Sequence, residues 1–327
     1  MAGHHIIVVG ASAGGVETLP KLVGGLPENF QGSLFVVLHI PATAESFLPR
    51  ILTRAGPLEA VHPKDGDPIE KGKIYVAPPD YHLWFSNSHL RVTRGPRVNR
   101  HRPAIDPLFE SAAHNYGSRV VGVVMTGYLD DGADGLYAVK KCGGVAVVQN
   151  PKEAMVPDMP RNAMRIADID HCLTVDKMQS LLVRLSRKRI TKRQVKCEEI
   201  MRFNMDSPSM TPDAMKAKFG APSGLICPDC NGPLWELKEG KTVRFRCLVG
   251  HSYAPDSLLC EEGVALERAL WVAVKTLEER STLLRNLARR SYELHQSLSQ
   301  NDFEEKARQT ESDAALIRTM VKKLGIK

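Results

Sequence analysis

The sequence contains no apolar run approaching the ~18–20 residues that cross a bilayer as a helix, so no membrane insertion is expected. Its start, Met1-Ala-Gly-His-His5, has neither the basic opening nor the long apolar segment of a secretory leader. A cytoplasmic protein is therefore expected. A secreted disulfide framework is also missing: the seven cysteines are odd in number and are not spaced in that way. Cys142, Cys172 and Cys197 stand alone and read as reduced thiols. There is no internal repeat, and no acid interrupts the stretch Arg184–Lys196.

What is present is ordinary for a globular chain. Of 327 residues, 43% are apolar and 25% charged, enough for one large domain and something smaller. The net charge of +7 is concentrated in Arg184–Lys196. That run reads first as a solvated linker and second as a docking strip for an acidic partner or nucleic acid. Neither a reading helix nor stacking aromatics accompany it, so nucleic acid is disfavoured.

Short apolar strands alternate with helical patterns through the first half. Strands are expected at Ile6–Val9, Ser33–Leu38, Lys73–Ala77, His89–Thr93, Arg119–Met125 and Gly144–Val148. Helices are expected after Gly15 to Leu22, over Ala44–Arg54, Asp106–His114 and Gly132–Lys141, and around Met178–Arg187. This order predicts an α/β fold with a mainly parallel, doubly wound sheet covered on both faces. A basic and polar linker is expected over 189–223, with Pro208, Pro212 and Pro222. A compact cysteine-containing module follows at 224–259. From there Leu266, Leu270, Ala273, Leu277, Leu284 and Leu287 recur at helical steps. A polar break at Ser299–Asp302 precedes a second helix, capped by Asn301 or Asp302, and predicts an α-helical pair over 260–327. Its apolar seam suits packing between the two helices or against a partner, including a dimer.

Gly10-Ala-Ser-Ala-Gly14 carries the strongest chemical signal. It matches the G-x-S-x-G turn that exposes a nucleophilic serine between a strand and a helix. Glycines let the chain turn sharply, and the helix N-terminus offers amide donors to a developing oxyanion. A phosphate-binding turn is the competing reading, but the G-x-G-x-x-G spacing is absent. His39 closes the second apolar strand, and Asp130 and Asp131 follow the strand ending at Met125. Taken singly, each has a blander explanation: a structural histidine, or a turn and helix cap. Together the three lie at carboxyl ends of strands, where open α/β sheets gather catalytic groups. Asn99-Arg-His-Arg-Pro103 is dense in donors and reads equally as a substrate-edge loop or a structural loop.

These motifs resemble the catalytic domain of the chemotaxis protein-glutamate methylesterases, the CheB family, over about Ile6 to Leu185. The matching segments are GASAGG around Ser12, LHIP at His39, YVAPPDYHL from Tyr75, NRHRPAIDPLF from Asn99, MTGYLDDGADG from Met125, VVQNP at Val147 and MPRNA at Met159. The resemblance implies a phosphorelay-linked signal-transduction hydrolase. It would release methanol from glutamate γ-methyl esters on methylated chemoreceptors or receptor-like helical proteins, and often deamidate receptor glutamine. It implies Ser12 as nucleophile, His39 as base and acid, and Asp131 as the group orienting His39. Alignment on Gly132 favours Asp131 over Asp130. Departures are Ala13, where the family has threonine, and Tyr128-Leu129-Asp130, where it reads M-G-N. Chemotaxis members begin with a receiver domain, whereas this chain starts at the catalytic strand, so a separate regulator is expected. The alternative is a weakly active or inactive signalling adaptor that binds a partner through its C-terminal extension.

Cys227-Pro-Asp-Cys230 and Cys247-Leu-Val-Gly-His251 have the ligand types and close pairing of a structural zinc ribbon, with Gly232 and Gly240 as hairpin turn residues. No cofactor is expected for catalysis. A metal-free hairpin of reduced thiols is the simpler alternative, and Cys260 is left outside the ligand set.

Overall fold

The computed structural model describes residues 5–86, 89–188, 209–239 and 241–324. Cys197, Gly240, Pro208 and most of the basic run, residues 189–196, lie outside the described residues. Two compact units divide between Leu258 and Leu259.

The first unit opens with β1 (His5–Ala11), α1 (Gly15–Gly24), β2 (Gly32–Leu38), α2 (Leu48–Ala55), β3 (Ala60–Val61), β4 (Ile74–Val76), β5 (His82–Ser86) and β6 (His89–Thr93). It continues through α3 (Ile105–Tyr116), β7 (Val120–Val124), α4 (Ala133–Lys141), β8 (Val145–Gln149), α5 (Asp158–Ile166), β9 (His171–Leu173) and α6 (Val175–Arg187). Seven strands form one sheet in the order β3-β4-β2-β1-β7-β8-β9, with every pairing parallel. β5 and β6 form a separate antiparallel hairpin.

Strand period explains the two-sided core. Ile6 and Val8 of β1, with Phe35 and Val37 of β2, enter one hydrophobic cluster together with Leu108 and Phe109 of α3, Leu136 and Val139 of α4, and Met159 of α5. Ile7 and Val9, with Leu34 and Val36, enter the other with Leu19 and Leu22 of α1, Leu52 of α2 and Leu182 of α6. The sheet is doubly wound, as its apolar runs predict. Truncating a core leucine such as Leu19 or Leu136 to alanine costs about 2–5 kcal/mol.

The sequence reading needs correcting at several places. α2 begins at Leu48 and not at Ala44, with Pro49 in its first turn, where a missing N–H costs nothing. β3, β5, β9 and α5 were not anticipated. β3 has only two residues, and α5 buries just Met159, Pro160 and Ala163, too few for a visible period. Cys142 is disulfide-bonded and not a thiol, a pairing that no spacing signalled. Cys172 is an exposed free cysteine.

Within the stretch read as linker, Pro212–Phe219 forms α7, whose Thr211 side chain accepts a hydrogen bond from the Ala214 amide. Then β10 (Leu234–Glu239), β11 (Thr242–Cys247) and β12 (Ser252–Tyr253) make a three-stranded antiparallel sheet. α8 (Pro255–Glu293) starts in this unit with proline in its first turn.

In the second unit the remainder of α8 pairs with α9 (Ser297–Leu324). Val274, Ser281 and Ala288 of α8 are buried, as are Ala307, Ala314 and Val321 of α9. Glu311 accepts from Arg285, and Glu278 pairs with Arg318, so the helices run antiparallel. The break between them falls at Leu294–Gln296, earlier than expected. His295 takes a left-handed backbone (φ 56°) that ends α8, while the polar residues 299–302 sit inside α9. Among the described residues, no helix is long and apolar enough to cross a membrane.

Candidate active site and cysteine–histidine cluster

The chain runs outward from β1 through β2 to β4, then returns to the other side of β1 with β7. Strand order therefore reverses between β1 and β7. Crevices at such switch points, outside the carboxyl ends of the strands, are the usual ligand sites of open α/β sheets. Register fixes what stands there. Ala11 pairs with Leu38, so Ser12 and His39 leave the sheet side by side. The His39 amide donates to Ala11 O (3.1 Å), and the Ser12 amide to Thr126 O (2.9 Å).

The turn after β1 needs its glycine. Gly14 has φ 80°, and a Cβ there would lie 2.8 Å from Met155 Cβ and 3.1 Å from Thr126 Oγ1. Thr126 Oγ1 donates to Ala13 O (2.8 Å) and accepts from the Val156 amide (2.9 Å), which ties the turn to the loop after β8.

His39 Nε2 lies 2.7 Å from Asp131 Oδ2. Asp131 is buried and fully engaged: Oδ2 also accepts from the Ile105 amide (2.7 Å), and Oδ1 accepts from Asn99 Nδ2 (2.8 Å) and the Asp106 amide (3.3 Å). Burial pushes its pKa up, but hydrogen bonds from His39 and Ile105 and the nearby His39 and His101 rings outweigh it, so the pKa is lowered. Asp130 does not face His39. Its Oδ1 accepts from Ser257 Oγ (2.5 Å), and burial raises its pKa to about 6. The neighbouring aspartates are thus distinguished by geometry.

With Nε2–H directed at the carboxylate, the neutral His39 ring keeps its lone pair on Nδ1. Nδ1 is buried and has no hydrogen-bond partner. Ser12 and His39 line one cleft of about 360 Å³ together with Ile40, Pro41, Ala42, Asp80, Arg97, Arg100, His101 and Arg102. His101 stacks on His39 with ring centroids 3.6 Å apart and planes 8° from parallel. Burial and the adjacent His39 ring hold its pKa well below the usual histidine range. Arg102 reaches Asp80 Oδ1 from Nε (2.8 Å) and Nη2 (2.5 Å), and Arg94 Nη2 reaches Asp80 Oδ2 (2.6 Å). The segment 99–102 lines the cleft and braces the residues behind it. Tyr128 is exposed.

Sequence reasoning missed Asp106 and Asp134, which lie in segments quoted for other reasons, and Arg244, which carried no signal at all. Arg244 contacts Asp106 Oδ2 through Nη2 and Asp134 Oδ2 through Nε (2.5 Å), with all three side chains buried.

The structure also brings together Cys227, Cys230, Cys247 and His251. Their ligand atoms lie within 4.8 Å of one another. Cys230 Sγ is 3.6 Å from Cys247 Sγ, and His251 Nδ1 is 3.5 Å from Cys247 Sγ and 3.7 Å from Cys227 Sγ. A tetrahedron with Zn–S bonds of about 2.3 Å has edges of about 3.8 Å, close to these three separations, so the donor types and their spacing suit zinc. A larger groove, about 440 Å³, lies between α8 and α9 among Arg285, Arg289, Tyr292 and Glu304, and holds no nucleophile paired with a base.

A parallel α/β sheet bearing a serine, a histidine and an aspartate at its switch point defines the class: an α/β ester hydrolase. The family model described as CheB methylesterase matches residues 7–182. The chain belongs to the CheB methylesterase family and is an esterase. It is 36% identical over 191 residues to a Leptospira interrogans protein named, provisionally, as a protein-glutamate methylesterase/protein-glutamine glutaminase, covering 58% of this chain and 99% of that one. It is 32% identical over 182 residues to the Pyrococcus abyssi protein-glutamate methylesterase/protein-glutamine glutaminase, covering 54% of this chain and 50% of the relative, so it spans about half the length of that protein. The crystal structure of the Thermotoga maritima CheB methylesterase catalytic domain superimposes with a TM-score of 0.53 at 30% identity, covering 56% of this chain and 98% of that domain.

Proposed function

We propose that this protein is a protein-glutamate methylesterase, with Ser12 as nucleophile, His39 as general base and acid, and Asp131 as the group orienting His39. The observation that carries the reading is the His39–Asp131 contact of 2.7 Å beside an unpartnered Nδ1 in the cleft that Ser12 also lines. His39 Nδ1 takes the proton of Ser12 Oγ as the oxygen attacks the ester carbonyl, and returns it to the leaving methoxide, which departs as methanol. Water then repeats the sequence on the acyl-enzyme and frees the glutamate. Asp131, kept ionised, holds the Nε2–H tautomer and stabilises the imidazolium. The Ala13 and Gly14 amides at the start of α1 are the candidate oxyanion donors, since those of Ser12 and Gly15 are already bonded to Thr126 O and Ser12 O.

The substrate is a methylated glutamate on a chemoreceptor-like helical protein. The names of the relatives support it, and so does the cleft rim, where Arg97 and Arg100 suit an acidic segment. Receptor glutamine is a second substrate by the same acyl chemistry, with ammonia leaving. Cys227, Cys230, Cys247 and His251 would hold a structural zinc ion that closes the hairpin and takes no part in bond breaking.

Methanol release from a methylated chemoreceptor fragment tests the reading. Release by the wild type that is lost in Ser12→Ala supports it. Equal release by both removes Ser12 as nucleophile, and none from the folded wild type removes this substrate.

A further inference from the structure

Two parts of the chain far apart in sequence build the cluster behind Asp131. Asn99 sits at its centre and is fully buried. Its two amide hydrogens go to Asp131 Oδ1 and Asp106 Oδ2, each at 2.8 Å, and its Oδ1 accepts from the Ala254 amide at 2.9 Å. Only one orientation of the side-chain amide satisfies two acceptors and one donor, so Ala254 determines which way Asn99 points. Asp106 Oδ1 in turn accepts from the amides of Gly132 (3.0 Å) and Gly135 (2.7 Å), which bracket the chain just after Asp131. Arg244 then holds Asp106 and Asp134 together.

Ala254 and Arg244 both belong to the cysteine–histidine module. Arg244 lies on β11, the strand that ends at Cys247, and Ala254 follows β12, three residues after His251. The module also meets the 97–99 segment directly. The Asn99 amide donates to Ser252 O (2.8 Å), and the Ser252 amide to Arg97 O (3.3 Å).

Charge makes the arrangement consequential. Asp106, Asp131 and Asp134 are all buried in one neighbourhood, and buried like charges this close cannot all stay ionised without a cation. Arg244 supplies a cation that touches two of them. Burial, with Arg246 alongside, lowers its pKa to about 9, still above neutrality, so it stays charged.

We infer that the cysteine–histidine module is a working part of the active site, and that Arg244 is a positioning residue acting through Asp106 and Asn99 on Asp131 and the His39 ring. The inference rests on the reading of Ser12, His39 and Asp131 proposed above. Removing Arg244 leaves Asp106 and Asp134 without their cation while Ala254 still orients Asn99, and the carboxylate charge that remains behind Asp131 is then unbalanced. Unbalanced charge there favours the imidazolium that forms as Ser12 is activated, so the pH midpoint of Ser12 reactivity should rise. The other groups facing His39 are His101, Asp80, Arg97, Arg100 and Arg102, and those around Arg244 are Asp106, Asp134 and Arg246, with Glu110 beside Arg246. None of these is altered in the test.

The test follows the labelling rate of Ser12 by a fluorophosphonate across pH, in the full-length protein, for the wild type, Arg244→Met and Arg244→Lys, with melting temperature measured alongside. In Arg244→Met the rate should fall at least tenfold and its midpoint should rise by half a pH unit or more. Arg244→Lys should return the midpoint to the wild-type value and recover part of the rate. A folded Arg244→Met with wild-type rate and midpoint overturns the inference, as does a slower one whose midpoint has not moved, which marks a purely structural residue. Should the methionine variant not fold, Arg244→Gln, which keeps hydrogen-bond donors without the charge, carries the test on the same two criteria: a slower rate with a raised midpoint supports the inference, and an unmoved midpoint overturns it. A wild type labelled no faster than Ser12→Ala refutes the catalytic reading itself, and with it the inference.

Discussion

Ser12 and His39 stand one residue beyond β1 and β2, and the pairing of Ala11 with Leu38 sets them side by side. Cys227 and Cys247 are twenty residues apart, and they meet because β10 folds back on β11 around the register Leu234 to Cys247. At the sheet edge, backbone hydrogen bonds and two apolar clusters hold the position, and the functional side chains are passengers on it. In the module the order is reversed. Its buried cluster consists of Cys227, Leu234, Cys247, Tyr253 and Leu258, so two of five members are metal-ligand candidates. So small a core needs a staple. A side chain at the sheet edge can therefore be changed without losing the fold, whereas a side chain in the cluster cannot.

Three substitutions put that contrast under strain. Ser12→Ala and Asp131→Asn should each lower turnover about 10⁴-fold, the amide because it no longer holds the Nε2–H tautomer. Ser12→Ala should leave the melting temperature within about a degree, because surface-lining changes without packing loss stay within ±0.5 kcal/mol. A melting loss of several degrees would show that the edge is not the passive platform described. Cys227→Ser is the converse case. Zinc content should fall from about one per chain to nearly none, and the module should lose its cooperative unfolding while the large sheet keeps its own. A module that melts as before would mean that Leu234, Tyr253 and Leu258 suffice.

Gly14→Ala is a smaller perturbation of the edge. It forces a side chain into a left-handed turn, at about 1–2 kcal/mol, against Met155 and Thr126. Chemical denaturation should report that loss together with slower turnover. An unchanged midpoint would show that the turn relaxes freely.

The sheet edge was legible in sequence because period and punctuation encode it. Ile6–Val9 and Ser33–Leu38 are apolar on both faces, and each ends in a residue that chemistry would notice. Strand-end position alone offers Asp130 and Asp131 as a pair, and alignment on Gly132 favours Asp131; the contacts of Asp131 with His39 and of Asp130 with Ser257 are the physical difference between them. Arg244 was not legible at all. On β11 it is one more basic residue in a row with Lys241 and Arg246, and nothing local announces two buried carboxylates more than a hundred residues away. The break between the terminal helices was misplaced for a related reason. Polarity at 299–302 is tolerated on an exposed face, while the actual stop depends on the backbone angle of His295.

The smallest effect expected concerns the residue beside Asp131. Asp130 is buried, and burial is the main reason that its pKa stands near 6; hydrogen bonds from Ser257 pull it down, and the charges of Asp256 and Asp131 push it up. The folded protein therefore keeps this proton to a higher pH than the unfolded chain does. Stability contributed here is present below about pH 4 and is lost as pH rises through about 6, by about 2–3 kcal/mol over that window. Asp130→Asn keeps an oxygen to accept from Ser257 Oγ and removes the buried charge. It should flatten stability between about pH 4 and 6 and stabilise the protein by about 1–2 kcal/mol at pH 7.5, read by denaturant midpoints at both ends of the window. A variant less stable than wild type at pH 7.5 would mean that the Asp130 charge is compensated in solution. The two adjacent aspartates would then differ only in which neighbour they touch, and not in the cost of keeping them ionised.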